Sequence, residues 1–269
     1  MVLARPSPWL REHVTGYAGL RVEAARPLQG RVVPTGGVTL YIDFLASVRS
    51  VTAPVADPPL QIRASHVSGM WDGPVMFRQN TGHFGIAVGL TPQGAHALFA
   101  VPMRELANSL AGLDDLIGHR AGLLAERLWH APDWEARFAL LDRLLPRLLA
   151  SGPAPAPVVT QACRRLSETS GSMSIGALAE ELGTSRRYLE MRFSEQVGLP
   201  PKTVARIVRF RHALDQLIGR TRRPLALVAS GCGYSDQAHF SREFRGLAGC
   251  TPAAFRAERS AANTSTAIG

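Results

Sequence analysis

The chain has a single lysine, Lys202, among 30 Lys+Arg, and only three cysteines, Cys163, Cys232 and Cys250, all in its back half. An odd number of cysteines without a close pair excludes a disulfide scaffold and a Cys-x-x-Cys zinc site, and indicates a reducing compartment. No apolar stretch is long. The longest, Val38 to Val48, contains Asp43 and falls well short of the roughly 20 residues needed to span a bilayer. The start, Met1 to Val14, carries Arg5, Arg11 and Glu12 and so lacks the apolar centre of a signal peptide. The expectation is a cytoplasmic protein with no membrane partner.

Catalytic patterns are also missing. His13, His66, His83, His96, His119 and His130 are scattered singly, without a His-x-His or His-x-x-x-His pair to hold a metal. The front half has no cysteine nucleophile, and no Gly-x-Ser-x-Gly elbow, Gly-x-Gly-x-x-Gly turn or Walker loop occurs. Pro34-Thr-Gly-Gly37 reads only as a turn. The sequence therefore predicts no enzyme, no metal and no cofactor.

What is present is a foldable, basic chain. Its 269 residues, 46% hydrophobic and 19% charged, suffice for two domains with their own cores. The formal net charge of +9 is uneven: residues 158–269 hold 16 Lys+Arg against 9 Asp+Glu, whereas residues 1–157 hold 14 against 12. Compositional bias accounts for Arg in place of Lys but not for this asymmetry. A basic domain beside a nearly balanced one points to a polyanion-binding module with a second function attached.

The boundary is Ser151-Gly-Pro-Ala-Pro-Ala-Pro157, where alternating prolines favour extended geometry over helix. Residues 13–90 hold short runs rich in Val, Thr, Ile and Phe (Arg31 to Val33, Val38 to Phe44, Val75 to Arg78, Phe84 to Val88) between turn residues, the pattern of a β-sandwich or barrel. Residues 102–150 turn helical, with Trp134, Phe138, Leu141, Leu145 and Leu148 at steps of three and four and a kink or break expected at Pro146. The domains expected are thus 1–150, β-rich with a helical appendage; 151–157, a linker; 158–259, all-helical; and 260–269, a frayed tail. The fold class is α+β.

The basic half contains an internal repeat. A helix-turn-helix needs a small residue where its helices cross and a turn residue tolerant of positive φ. Ala179 and Gly183 meet these needs in residues 174–197, with Leu178, Leu182, Leu189 and Phe193 inward and Thr184 or Ser185 as cap of the second helix. Residues 224–248 repeat the logic with Leu225, Val228, Ala229, Gly233, Phe240 and Phe244, and with Ser235 as expected cap. Ser185 to Leu189 is four steps but Ser235 to Phe240 is five, so the second reading helix is entered one residue later. Between the units, a helix from Pro201 to about Ile218 would be roughly 26 Å long. Such a rod could place two reading helices about one DNA turn, roughly 34 Å, apart.

These residues resemble the AraC/XylS family of bacterial transcription regulators. The strongest stretch is Leu227-Val-Ala-Ser-Gly-Cys-Gly-Tyr-Ser-Asp-Gln-Ala-His-Phe-Ser-Arg-Glu-Phe-Arg245, followed by Gly249-Cys-Thr-Pro-Ala-Ala-Phe-Arg256. Ala179, Gly183, Ser185, Arg187, Leu189, Phe193, Gly198, Pro201, Arg209 and Ala213 carry it through the first unit; Met191 departs from the Arg frequent there. The resemblance implies sequence-specific binding of double-stranded DNA beside a promoter. It also implies a cupin-like front half that senses a small-molecule effector or mediates homodimerisation, and RNA polymerase as a further candidate partner.

Outward residues near the start of a reading helix meet base edges, and flanking cations and hydroxyls meet phosphates. The base readers expected are Arg186, Arg187 and Glu190 in the first unit and Asp236, Gln237, His239 and Arg242 in the second. Ser185, Lys202, Arg206 and Ser235 are expected at phosphates, with intramolecular ion pairing as the alternative role for the rod's cations. Tyr41, Asp43, Arg78 and His83 are candidate polar anchors of an effector pocket. Two rival readings stand: a DNA-binding protein indifferent to sequence, and a small-molecule-binding protein or enzyme tethered to DNA.

Overall fold

A computed structural model of the chain describes residues 1–22, 28–45, 49–53, 56–62, 65–79, 82–219 and 223–266. Its strands are β1 (Val2–Ala4), β2 (Val14–Val22), β3 (Leu28–Val32), β4 (Val38–Asp43), β5 (Arg49–Ala53), β6 (Ala56–Ile62), β7 (His66–Ser68), β8 (Val75–Gln79), β9 (His83–Leu90) and β10 (Leu110–Gly112). The helices of the front half are α1 (Pro92–Phe99), α2 (Leu113–Ile117), α3 (Arg120–Trp129) and α4 (Trp134–Ala150). Those of the back half are α5 (Pro157–Glu168), α6 (Ile175–Glu181), α7 (Arg186–Gln196), α8 (Pro201–Ile218), α9 (Leu225–Gly231), α10 (Gln237–Ala248) and α11 (Pro252–Thr266). A β-sheet domain thus precedes an all-helical one, as the sequence predicts.

Among the described residues the strands form two antiparallel sheets, ordered β1-β2-β9-β4-β7-β10 and β3-β8-β5-β6. Period-two alternation sorts the residues of the larger sheet. Val38, Leu40 and Ile42 of β4 are buried and join Ile86, Val88 and Leu90 of β9 in a core shared with Phe138, Leu141 and Leu145 of α4. The alternate residues Thr39 and Tyr41 face a cavity whose other walls come from the smaller sheet. The domain is therefore a sandwich with helices over one outer face.

Polar contacts hold α4 to that face. Asp133 caps it by accepting from the Ala136 N–H at 2.8 Å. Asp142 accepts from the Ser7 N–H and hydroxyl and from the Tyr17 hydroxyl at 2.8 Å. Burial, with the adjacent Asp142, pushes the Tyr17 phenol above its ordinary pKa. Arg137 donates to the Leu128 and Trp129 carbonyls at the end of α3 and lies over the Phe84 and Trp134 rings.

Four details differ from the sequence expectations. Helix α1 was not foreseen: Thr91 caps it through the Gly94 N–H, but five of its eight residues are buried, which erases the polar face a periodicity reading needs. Strand β10 lies in a stretch expected to be helical, and three residues are too few to display alternation. Of the kink or break expected at Pro146 in α4, the break does not occur, because the buried stripe of Phe138, Leu141, Leu145 and Leu149 continues on both sides of the one missing donor. The tail expected at 260–269 is helical backbone to Thr266, since no Gly or Pro interrupts it there; residues 267–269 lie outside the described residues.

In the back half Leu166, Leu178, Leu189 and Phe193 close the core of the first unit, and Val228, Phe240, Phe244 and Leu247 that of the second. Ser185 caps α7 by accepting from the Tyr188 N–H. The cap of α10 is Asp236, not Ser235: its carboxylate accepts from the His239 N–H at 2.6 Å, while the Ser235 hydroxyl donates to the other Asp236 oxygen at 3.3 Å. A carboxylate outcompetes a hydroxyl at a helix N-terminus because it also meets the positive end of the helix dipole. With Asp236 as cap, the step to Phe240 is four, the same as from Ser185 to Leu189. The extra residue therefore lengthens the turn and leaves α7 and α10 in one register relative to their caps.

Two outcomes follow. Asp142→Ala strands the buried Tyr17 hydroxyl and should cost about 1–3 kcal/mol in urea unfolding, with less lost in Asp142→Asn. The His239 N–H and the Ser235 hydroxyl hold the Asp236 carboxyl below its usual value of 3.8. Its contribution is thus complete above that pH and lost as pH falls through the lower folded value. Thermal melts should show the wild type losing stability more steeply than Asp236→Asn below about pH 4, because asparagine caps without titrating.

Candidate nucleic-acid interface

Each unit turns on a glycine in the left-handed region, Gly183 at φ 61° and Gly233 at φ 76°, with Ala179 and Ala229 buried where the helices cross. Burying Leu189 and Phe193 fixes the rotation of α7, so Arg186, Arg187 and Glu190 are exposed. Tyr188 and Met191, which the sequence reading did not assign, are exposed with them. On α10, burial of Phe240 and Phe244 leaves Gln237, Ala238 and Arg242 exposed, with Asp236 just ahead of them. His239 is half-buried, its ring edge-on to Tyr234 at 5.4 Å.

Helix α8 joins the units. Val204, Ile207, Phe210, Ala213 and Leu217 are buried along it, and Phe210 meets Phe244 of α10 at 5.1 Å between ring centroids. With 18 residues it spans about 27 Å. It packs against α7, α9 and α10 and so carries both units.

Electrostatics divide the expected contact residues into free-facing and engaged groups. Arg186 pairs with Glu190 one turn on, at 2.9 Å, but both are well exposed, so exchanging that pair for nucleic acid costs little. Arg206 and Arg209 both reach Glu243 of α10 at 3.3 Å, and Arg209 also lies over the Tyr234 ring at 5.1 Å. Arg206, expected at a phosphate, is thus half-buried in a contact that locks α10 onto the rod. Lys202, in the first turn of α8, is exposed, as are Ser185 and Ser235. Burial raises the Tyr234 phenol above its ordinary pKa.

The front half contributes a separate feature, a cavity of about 260 Å³ between the sheets. Of the four anchors named from sequence, Tyr41 and His83 line it; Asp43 reaches His83 at 3.3 Å, and Arg78 is exposed elsewhere. His66, Trp71, Phe77 and Gln79 also line it and were not foreseen, because strand pairing brings them together from distant parts of the sequence. Among the described residues no group of three or more His, Cys, Asp or Glu is placed to hold a metal ion. No described helix is long and apolar enough to cross a membrane.

Comparison with known proteins gives two family matches: a helix-turn-helix domain over residues 178–258 and a domain of unknown function, DUF6597, over residues 3–111. The chain is similar to the F1 operon positive regulatory protein of Yersinia pestis, 36% identical over 84 residues, covering 31% of this chain and 28% of that protein. It is similar to the arabinose operon regulatory protein of Escherichia coli, 31% identical over 101 residues, covering 37% of this chain and 34% of that protein. The chain thus spans about a third of the length of these curated relatives. Among solved structures, ToxT from Vibrio cholerae aligns with 89% of this chain and 96% of its own at 9% identity and a TM-score of 0.49. The paired units, their sequence and these relatives show a helix-turn-helix domain over residues 178–258, and in this half the chain is similar to the AraC/XylS family of transcription regulators.

Proposed function

We propose that this protein is a sequence-specific regulator of transcription that reads two successive major-groove segments of promoter DNA and is controlled by a small molecule bound in its front domain. The observation that carries this reading is the duplication on one rod. Two reading helices in the same register bury their apolar sides and leave Arg186, Arg187, Glu190, Gln237 and Arg242 exposed. The wrong face of either helix turned outward would remove the basis for the reading.

The roles follow from chemistry. Arg186 and Arg187 suit guanine, whose O6 and N7 accept a bidentate guanidinium, and Glu190 suits the cytosine N4 amine. Gln237 suits adenine, Ala238 can meet a thymine methyl, and Arg242 suits guanine. Asp236 and His239 reach bases only with the groups that capping and the Tyr234 contact leave over. Ser185, Ser235 and Lys202 suit phosphates, and Arg206 does so once it leaves Glu243.

The relatives support this reading, since two are described as operon regulatory proteins. The cavity supports control through the front half, lying between two sheets and being largely apolar with a few polar side chains, as small-molecule sites are.

Selection of bound duplexes from a random library, followed by titration of the selected site across a salt series, tests the reading. The selected site should bind at least 10³-fold tighter than unrelated duplex. Arg187→Ala should relax preference at one base position, costing about 1–3 kcal/mol there. Lys202→Ala should weaken every duplex alike and reduce the salt slope by about one. Equal affinity for all duplexes at fixed salt would overturn sequence reading in favour of architectural binding, and turnover of a small molecule by the chain would favour a tethered enzyme.

A further inference from the structure

Residues 31–37 face two ways. On one side Val32, Val33, Pro34, Thr35 and Gly37 form part of the cavity wall. On the other, the same short segment touches the DNA-binding half twice. The Arg31 guanidinium donates to Cys250 Sγ and to Glu258 Oε1 at 3.2 Å, reaching the turn that leads into α11 and the middle of that helix. Gly36, at φ 74°, lies against the rod: a methyl group on it would sit 3.5 Å from Ile207 Cγ2 and 3.9 Å from Arg211 Cδ. A third contact comes from the same sheet, where Pro74, next to the cavity residue Val75, packs beside Gly249 at the end of α10.

The opposing wall is held more firmly. Thr39 and Tyr41 belong to β4, which is bonded to β9 on one side and β7 on the other. Strand β3 is at the edge of its sheet, bonded among the described residues only to β8. An edge strand moves at the cost of one ladder of hydrogen bonds and a central strand at the cost of two. A molecule that changes the width of the cavity therefore displaces β3 and the segment after it, and with them the contacts to α8 and α11.

The lining also says what kind of molecule fits. Among its described residues none is Asp, Glu, Lys or Arg, so a charged ligand would lose its hydration without meeting a permanently charged side chain, and His66 and His83 are the only described lining groups that could offset an anion. Tyr41, His66, Trp71 and Phe77 offer ring faces and edges, with Tyr41 and His66 already stacked at 4.7 Å. Two polar side chains are at least partly engaged: Ser68 accepts from the Trp71 indole N–H at 2.9 Å, and Gln79 donates to the Gly82 carbonyl at 3.2 Å. The volume of 260 Å³ exceeds the roughly 150 Å³ that holds benzene.

Resting on the regulator reading above, we propose that this cavity takes a neutral aromatic molecule of one ring or two fused rings bearing at most a few polar atoms. Its occupancy is relayed to the DNA-binding half by residues 31–37, through Arg31 on α11 and Gly36 on α8.

The test uses the full chain without DNA, so its outcome is separate from whether the protein reads sequence. Calorimetric titration with indole, quinoline and acetophenone should give saturable binding by at least one, and none by benzoate or glucose. Val51→Phe and Val75→Phe, which fill the cavity from different strands, should each weaken that binding. Hydrogen exchange with the bound probe should change at 31–37, 207–211 and 250–258. Arg31→Gln should keep probe binding at least as tight as in the wild type, since the contact it removes no longer opposes displacement of β3, and abolish the response at 250–258. Failure of all three aromatics to bind, or binding of benzoate or glucose, overturns the ligand class. Probe binding without a response at 250–258, or a response that survives in Arg31→Gln, overturns the relay.

Discussion

Two helices can cross steeply at close range only where neither presents a large side chain, and the DNA-binding half depends on meeting this condition twice. Ala179 and Ala229 are the residues at the crossings, and both are buried. A methyl group there lets Leu189 and Phe193 in one unit, and Phe240 and Phe244 in the other, fill the angle behind the crossing. Once these aromatic and aliphatic groups are seated, the rotation of each reading helix is fixed, and with it the side chains offered to solvent. The outward chemistry of the site is therefore set by the inward packing.

Much of this was legible in the sequence because its determinants are local. The alanine, the glycine four residues on and the inward residues sit within one short window, so spacing alone located both units and the faces of α7 and α10. The capping of α10 was misread because Ser235 aligns with Ser185 by chain position, whereas the competition between adjacent acceptors is decided in space, where the Asp236 carboxylate wins the His239 N–H. Helix α1 was hidden by its own burial, and the engagement of Arg206 by Glu243 joins residues 37 positions apart, beyond the reach of any periodicity. The cavity is the extreme case, since Tyr41, His66 and Phe77 meet only after two sheets have formed and faced each other.

The two halves are folded against each other and share one continuous apolar core. The linker is pinned where the Ala156 N–H donates to the buried Gln196 side chain at 2.8 Å. Gly198, at φ 94°, brings the end of the first reading helix onto the front half so closely that a methyl group on it would lie 2.6 Å from the Met103 carbonyl oxygen. The front half thus touches the end of the first unit at Gly198, the rod at Gly36, the end of the second unit at Pro74 and the last helix at Arg31.

Helix α8 contains no glycine, and its only proline is at the first position. It is therefore a ruler with no slack: the separation of the two helix-turn-helix units is fixed by the rise of the α-helix and their relative phase by its pitch. Removing a single residue from its middle would swing one unit about 100° around the axis relative to the other, and a change of about seven residues is the shortest that comes within about 20° of the original phase, with some 10 Å lost in reach.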